Sequence, residues 1–276
     1  METKDITPEL LESLSYPDFV GLINQWNTPP GAYVTLSKLA TFSRMTNQSH
    51  ILEVGCSTGF SSRELAVMTG CSGVGFDISE NSIRKADFNK KYYAPDININ
   101  YKVADGYYFD SKEKFTHIIV GGNLVFFPDP EKMLVKCLKM LRDGGYMLAT
   151  PYYMVTQMPE SLIARVHSTL GIPLASFSHF SYKDVVKLYS KLEIIYEDQN
   201  ELHQETDEEI AFYCKSVINK TCKIYAIEND QIYDLMLHRL FEIRKLINET
   251  RLYQKYDVLI LRYREAMYPH RYTPLF

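Results

Sequence analysis

The sequence predicts an α/β fold, a three-layer αβα sandwich on a mostly parallel sheet. Between residues 49 and 150, apolar runs of four to six residues alternate with longer stretches of helical pattern. That alternation is typical of βαβ units in a parallel sheet, whose right-handed crossovers place helices on both faces. The chain has 276 residues, 46% of them hydrophobic and 23% charged, which suffices for one large domain with a buried core.

The first predicted element is a helical cap over residues 1–48. Pro17 can open a helix, and the Pro-Pro-Gly sequence at 29–31 marks a turn before the core. The core is predicted over residues 49–220, with seven strands. Their sequences are HILEV, GVGFDI, ININYKVAD, FTHIIVGG, GGYMLAT, LEIIYED and IAFYCKSVI.

Two further segments lie outside the alternation. Residues 151–179 are predicted as an insert, with a helix near 160–169, that acts as a lid over the acceptor. Residues 221–276 are predicted as a helical extension, because apolar positions recur every three or four residues from Met236 to Ile247 and from Tyr253 to Met267. These two helices pack on each other or on a neighbouring subunit, so we expect a homo-oligomer through them.

Composition narrows the functional classes. The five cysteines are odd in number and form no C-x2-C pair, so no disulfide framework, zinc site or other metal centre is predicted. A net charge of −4 disfavours a nucleic-acid partner, and the local basic excess from Arg239 to Arg271 reads as a solvated helix face. No apolar run approaches membrane-spanning length, and the N-terminus METKDITPEL lacks the pattern of a secretory signal. We expect a cytoplasmic protein with no membrane partner.

The segment ILEVGCSTGFSSREL is the first candidate for a binding site. Glu53 ends a strand, Gly55 and Gly59 bracket a tight turn, and a helix begins near Ser61. Glycines let a ligand approach the backbone, and the start of the helix offers free N–H groups. By itself, this turn predicts ligand binding without identifying the ligand.

Acidic residues end the next two predicted strands. Asp77 follows Gly55 by 22 residues, the spacing at which an acid hydrogen-bonds a ribose diol. Asp105 ends the strand after that, where a carboxylate can accept a hydrogen bond from an adenine amino group beside an apolar wall. Ligands bind outside the carboxyl ends of parallel strands, so the three positions together predict a nucleoside site.

The glycine turn is also similar to two other kinds of site. A dinucleotide site requires G-x-G-x-x-G, whereas the run here is G-C-S-T-G-F. The same residues match the G-x-S-x-G elbow of α/β-hydrolases, with Ser57 as the nucleophile. That fold also needs an oxyanion loop, for which no HGGG-like sequence occurs, and it leaves Asp77 and Asp105 unexplained.

The run resembles motif I of the class I S-adenosylmethionine-dependent methyltransferases, and residues 49 to about 218 follow that family in order. The resemblance implies a Rossmann-like fold with S-adenosylmethionine as the cofactor. Cys56 stands where many members have a third glycine, and its small side chain is compatible with cofactor contact. Glu53 would reach toward the methionine amino group. The implied cofactor-binding residues are Glu53, Gly55, Cys56, Ser57, Gly59, Phe60, Asp77, Ile78, Asp105, Gly106, Gly121 and Asn123.

The resemblance further implies methyl transfer to O, N or C of a small-molecule acceptor, of aromatic or natural-product type. The 21 tyrosines fit either core filling or an aromatic-walled pocket. The candidate acceptor-binding residues are Trp26, Tyr33, Asn123 and Tyr153. Candidates for a catalytic base are His167, His179 and Tyr152, all in the predicted lid. The rival functions are methylation of RNA or protein through the basic C-terminal helices, and cofactor binding without turnover.

Overall fold

Eight strands in one sheet organise the computed structural model, which describes residues 6–171 and 181–266. The strands are β1 His50–Val54, β2 Ser72–Asp77, β3 Ile99–Val103, β4 Phe115–Gly121, β5 Leu141–Ala149, β6 Tyr152–Met154, β7 Glu193–Glu201 and β8 Gln254–Arg262. The described helices are α1 Pro8–Ser13, α2 Tyr16–Leu22, α3 Ala32–Phe42, α4 Phe60–Thr69, α5 Glu80–Tyr93, α6 Pro130–Met140, α7 Glu160–Leu170, α8 Tyr182–Tyr189, α9 Asp207–Tyr225 and α10 Asp230–Thr250.

The strand order is β3-β2-β1-β4-β5-β8, with the first five strands parallel. β8 runs antiparallel to β5, and β6 and β7 both pair with β8. Apolar residues of α6 and α8 cover one face of the sheet, and those of α3, α4 and α5 cover the other. The predicted three-layer fold is confirmed. It has eight strands instead of seven, because one predicted strand is absent and the unpredicted β6 and β8 are added.

The strand predicted for IAFYCKSVI is wrong, since these residues lie within α9. Thr206 and Glu209 form a capping box that begins this helix. Its buried residues Ile210, Cys214 and Ile218 are spaced by four and face a helical core, which is helix periodicity. The strand prediction gave too much weight to the short apolar run.

The second predicted C-terminal helix is also wrong, because residues 254–262 form β8. The first is confirmed as α10, which begins after the cap residue Asn229. In β8 every residue from Tyr256 to Leu261 is buried, so the strand is covered on both faces. Such strands have continuous apolar runs, and VLIL at 258–261 is one. The helix was predicted because Tyr256, Ile260 and Tyr263 are spaced by four and three residues, as they would be on one face of a helix.

A helical layer of α1, α2, α9 and α10 joins the predicted cap to the predicted C-terminal helices. Phe19 and Ile23 pack with Ile218, Met236 and Leu240 in a core separate from the two on the sheet. The apolar positions of α10 are therefore used within the chain, and the homo-oligomer through these helices stays a prediction. The helix predicted near 160–169 is α7. Along 6–171 and 181–266, none of the helices has the length and hydropathy to cross a bilayer.

The cap is fastened to the part of the core where the glycine turn lies. The side-chain amides of Asn24 and Asn89 exchange hydrogen bonds of 3.0 and 2.9 Å. The Thr58 hydroxyl donates to the carbonyl of Gln25 at 2.8 Å, and Asn89 also donates to the Thr58 carbonyl at 3.1 Å. The helical layer consequently lies over the carboxyl ends of β1 and β2.

Candidate functional site

The loop between β1 and α4 is built on two left-handed glycines. Gly55 has a φ of +65° and Gly59 a φ of +77°. A Cβ atom on Gly59 would stand 2.7 Å from the Tyr101 ring, and the Tyr101 hydroxyl donates to the Gly59 carbonyl at 3.1 Å. Only glycine suits such a position, so the loop keeps a bare backbone and leads directly into α4 at Phe60.

Glu53 lies on β1 beneath the start of α4. Its side chain is buried, and its Oε2 accepts a hydrogen bond of 3.0 Å from the Ser62 backbone N–H. Burial raises the pKa of this carboxyl to about 7, although hydrogen bonds from Ser62 and Ser61 oppose the rise. The side chain thus joins the end of β1 to the start of α4, and the predicted contact with the methionine amino group stays a prediction.

We expect Glu53→Gln to change how stability depends on pH. The native pKa is raised above the unfolded value of about 4.3, so the stability contributed by this group is complete below that value. It is lost as pH rises through about 7. Glutamine does not titrate, so the variant should gain about 3–4 kcal/mol relative to the wild type between pH 4 and pH 8. Urea unfolding at both pH values measures this change in stability.

The control is Glu80→Gln, at an exposed position of α5, which should show no such gain. A difference between Glu53→Gln and the wild type that does not depend on pH would contradict the prediction.

Asp77 ends β2 and joins two loops of the site. Its Oδ2 accepts from the Ser57 N–H and its Oδ1 from the Ser79 N–H, both at 2.9 Å. Burial raises its pKa, while the two backbone hydrogen bonds lower it. Ser57 itself has a φ of +49°. Along the described residues it forms no hydrogen bond with a histidine, which a nucleophilic serine of the hydrolase type would need.

Asp105 and Ile78 lie at the neighbouring strand ends. The Asp105 Oδ1 accepts from the Tyr107 N–H at 2.9 Å, which fixes the turn after β3. Asp77 and Val103 are register partners in β2 and β3, and the side chains of Ile78 and Val103 are 68% and 52% exposed. Exposed apolar side chains beside a carboxylate provide the surface that a flat, polar-edged ring requires.

Gly106 and the loop after β4 close the far side of the site. Gly106 packs under the Phe127 ring, where a Cβ atom would stand 2.8 Å from it. Gly121 has a φ of +51°. The Asn123 Nδ2 donates to the carbonyls of Val54 and Gly55 at 2.7 and 3.1 Å. The Asn123 amide therefore ties this loop to the glycine loop, so its N–H groups are engaged by the protein itself.

The predicted acceptor residues Trp26 and Tyr33 serve the junction of the cap with α4. Arg63, which is fully buried, lies 4.7 Å from the centre of the Trp26 ring, and the Lys220 ammonium lies 4.3 Å from it. Tyr33 meets Phe60 edge-on at 5.5 Å. Because two cations of the chain already contact the Trp26 ring, these contacts support anchoring of the cap and not the predicted acceptor contact.

Strand alternation separates Tyr152 from Tyr153. Tyr153 packs against Tyr182 with the core of α6 and α8, so the structure does not bring it to the acceptor side. Tyr152 lies under the loop after β4, where a Cβ atom on Gly122 would be 3.1 Å from its ring. Burial raises the Tyr152 pKa to about 12, which makes the hydroxyl a donor and a poor base near neutral pH.

The two histidine candidates remain apart from this site. His167 is on the exposed side of α7, whose buried residues pack with Leu246 of α10. His179 lies outside the described residues.

Within 6–171 and 181–266, no group of three or more His, Cys, Asp or Glu side chains could hold a metal ion. Tyr16 and Arg244 interact with Tyr152, and Tyr213 interacts with Tyr16. Sequence reasoning missed these residues because they come from distant parts of the chain.

The comparisons with known proteins agree with this geometry. The chain is 32% identical over 102 residues to a ubiquinone biosynthesis O-methyltransferase of Coxiella burnetii, covering 35% of this chain and 40% of that protein. It is 26% identical over 165 residues to a sarcosine/dimethylglycine N-methyltransferase of Halorhodospira halochloris, covering 56% and 58%. The chain thus matches about half the length of these relatives.

A solved structure and a family model extend the comparison. The methyltransferase of Geobacter sulfurreducens in complex with S-adenosylhomocysteine superposes with a TM-score of 0.66 at 14% identity, covering 88% of this chain and 96% of that one. At that identity the likeness shows the fold. A family model described as a methyltransferase domain matches residues 45–239, which is more than half of the chain. The chain therefore belongs to the S-adenosylmethionine-dependent methyltransferase family that its glycine loop resembles.

Proposed function

We propose that this protein transfers a methyl group from S-adenosylmethionine to O, N or C of a small-molecule acceptor. One observation carries the proposal: the loops after β1, β2 and β3 meet at one edge of the sheet and are connected there. Asp77 binds the backbone of both the glycine loop and the start of α5. An acid, an open backbone and exposed apolar side chains are thereby assembled for a single nucleoside ligand.

The residues present fit this cofactor. The glycine loop, residues 55–59, would contact its amino-acid part, Asp77 would hold the ribose hydroxyls, and Asp105 with Ile78 would hold the purine. When bound, the cofactor supplies a methyl group already activated on sulfur. The chain's own task is then to align the acceptor and to exclude water, and the helical layer over this edge is suited to both.

A small acceptor is supported by the partners of the basic C-terminal residues. Arg244 and Arg251 pair with Glu205, and Lys245 pairs with Asp207. Arg239 donates to backbone carbonyls of the cap, and the remaining described basic residues pair with Glu201 and Glu193. Methylation of RNA or protein would need these charges spread over an exposed docking surface, whereas here each of them has a partner within the chain.

Two measurements test the proposed function. Calorimetry should detect binding of S-adenosylhomocysteine and none of NADH. The protein is then incubated with methyl-labelled S-adenosylmethionine and a cell extract. We expect label in the small-molecule fraction. Label in RNA or protein would establish the rival function, and binding without transfer to any fraction would indicate a cofactor-binding module. If S-adenosylhomocysteine does not bind, the proposal fails.

A further inference from the structure

A set of tyrosine and arginine side chains lies between the glycine loop, the loop after β4 and the helical layer. We call Tyr16, Tyr152, Tyr213, Arg244 and Arg251 the Tyr–Arg cluster. Tyr152 connects it to the loop after β4 through its contact with Gly122. Gln25, which interacts with Tyr213, connects it to the glycine loop through the bond between its carbonyl and the Thr58 hydroxyl. The cluster thus adjoins two of the loops that the proposed cofactor would contact.

The cluster carries an excess of positive charge. The Arg244 Nη2 lies 2.8 and 2.6 Å from the two carboxylate oxygens of Glu205, and the Arg251 Nη1 lies 2.9 Å from the second of these oxygens. One carboxylate is therefore shared by two guanidinium groups. Arg244 also stacks on the Tyr213 ring at 4.4 Å, and its Nε is buried without a hydrogen-bond partner.

The tyrosine hydroxyls add neutral hydrogen-bond donors. Burial raises the pKa values of Tyr16 and Tyr152 to about 12, with Arg244 acting in the opposite direction on both. Along the described part of the chain, neither hydroxyl forms a hydrogen bond with another group of the protein. The Arg244 Nε is a buried donor without an acceptor. Buried donors in native proteins nearly always have one, so this group is suited to an acceptor that the chain does not itself provide.

We propose that the Tyr–Arg cluster binds an anionic group, a carboxylate or a phosphate, on the methyl acceptor. This inference rests on the proposed function and names the acceptor class for it. Charge-assisted hydrogen bonds from a guanidinium and from hydroxyls are the usual means of holding an oxyanion. Bound there, the anion fixes one end of the acceptor and leaves the other end directed to the edge of the sheet. The unpartnered Gln25 Oε1 can accept a hydrogen bond from the same molecule.

The test uses the full chain saturated with S-adenosylhomocysteine. Inorganic phosphate, benzoate and the neutral benzamide are titrated at constant ionic strength, with thermal stabilisation as the readout. We expect phosphate or benzoate to stabilise the protein and benzamide not to, and the anion that binds more tightly tells a phosphate site from a carboxylate site. Arg244→Leu should weaken anion binding about tenfold or more and leave affinity for S-adenosylhomocysteine unchanged.

Two other variants complete the design. Tyr152→Phe removes one hydroxyl and should weaken anion binding several-fold, and Arg244→Lys should keep part of it. Both changes are conservative, so they keep the test usable if Arg244→Leu does not fold. The control is Arg165→Leu on α7, which removes an arginine paired with Glu249 at 2.9 Å and should change nothing.

Three results would overturn the inference. The first is that the anions stabilise the wild type no better than benzamide does, and the second is that Arg244→Leu and Tyr152→Phe bind them as well as the wild type. The third is that the variants lose as much affinity for S-adenosylhomocysteine as for the anions. That result would assign the cluster to the cofactor's own carboxylate. Failure of the wild type to bind S-adenosylhomocysteine at all is a separate result, because it refutes the proposed function first.

Discussion

Asp77→Ala is expected to weaken binding of S-adenosylhomocysteine by about 1–3 kcal/mol, or roughly 5- to 150-fold. Two losses contribute to this effect. The carboxylate would no longer accept hydrogen bonds from the ribose, and the backbone N–H groups of Ser57 and Ser79 would lose their shared acceptor. The second loss loosens the glycine loop itself. Calorimetric titration of the variant and the wild type measures the difference.

The matched control is Asp110→Ala. Asp110 is exposed and accepts a hydrogen bond only from its neighbour Ser111 at 2.9 Å, so the affinity should stay at the wild-type value. Asp77→Asn should fall between the two, because its amide oxygen can replace one of the two acceptors. If Asp77→Ala binds the nucleoside as tightly as Asp110→Ala does, the assignment of the ribose acid is refuted.

Gly59→Ala is expected to reduce the free energy of unfolding by on the order of 2–4 kcal/mol and to abolish measurable cofactor binding. The left-handed backbone at this residue, with a φ of +77°, disfavours any side chain. The new Cβ atom would also stand 2.7 Å from the Tyr101 ring and 3.0 Å from Ala86. Relief of that contact requires the loop to move away from β3, where the cofactor would lie.

Gly144→Ala separates the cost of a side chain on a left-handed backbone from the cost of the steric contact with Tyr101 and Ala86. Gly144 has a nearly identical φ of +74°, but a Cβ atom there would meet nothing within 4 Å. It should therefore show only the conformational part, about 1–2 kcal/mol, in urea unfolding experiments. The difference between the two variants measures the steric contribution at the site. Equal destabilisation by both substitutions would show that the close packing of the glycine loop has no energetic consequence.

The part of the fold that sequence reasoning predicted is local in character. The strands β1 to β5 and the helices between them were found because apolar runs, glycines and acids recur within a few residues of each other. Asp77 and Asp105 were found for the same reason, since each directly follows a strand. The register of β2 and β3 then brings Asp77 opposite Val103, as parallel neighbours require.

The remaining features depend on contacts between distant segments. Residues 254–261 were assigned to a helix because their apolar spacing fits both periods, and only their burial between β5 and β7 decides for a strand. The Tyr–Arg cluster combines Tyr16 with Tyr152 and Arg244, and no local pattern connects them. The surplus of tyrosines in the composition was the one available sign, and it does not tell which of them meet.

The position of β8 has a consequence for how the polypeptide reaches its native state. This strand is the last of the described sheet to leave the ribosome, yet it supplies the backbone partners of β5, β6 and β7. Until it emerges, the backbone N–H and C=O groups that pair with β8 have no partner, and the apolar side chains beside them are exposed. Such strand edges are prone to pair with other chains. Closure of the sheet across such long sequence separations is intrinsically slow. Biosynthesis of this protein should accordingly be sensitive to temperature and to chaperone supply at a late stage of translation.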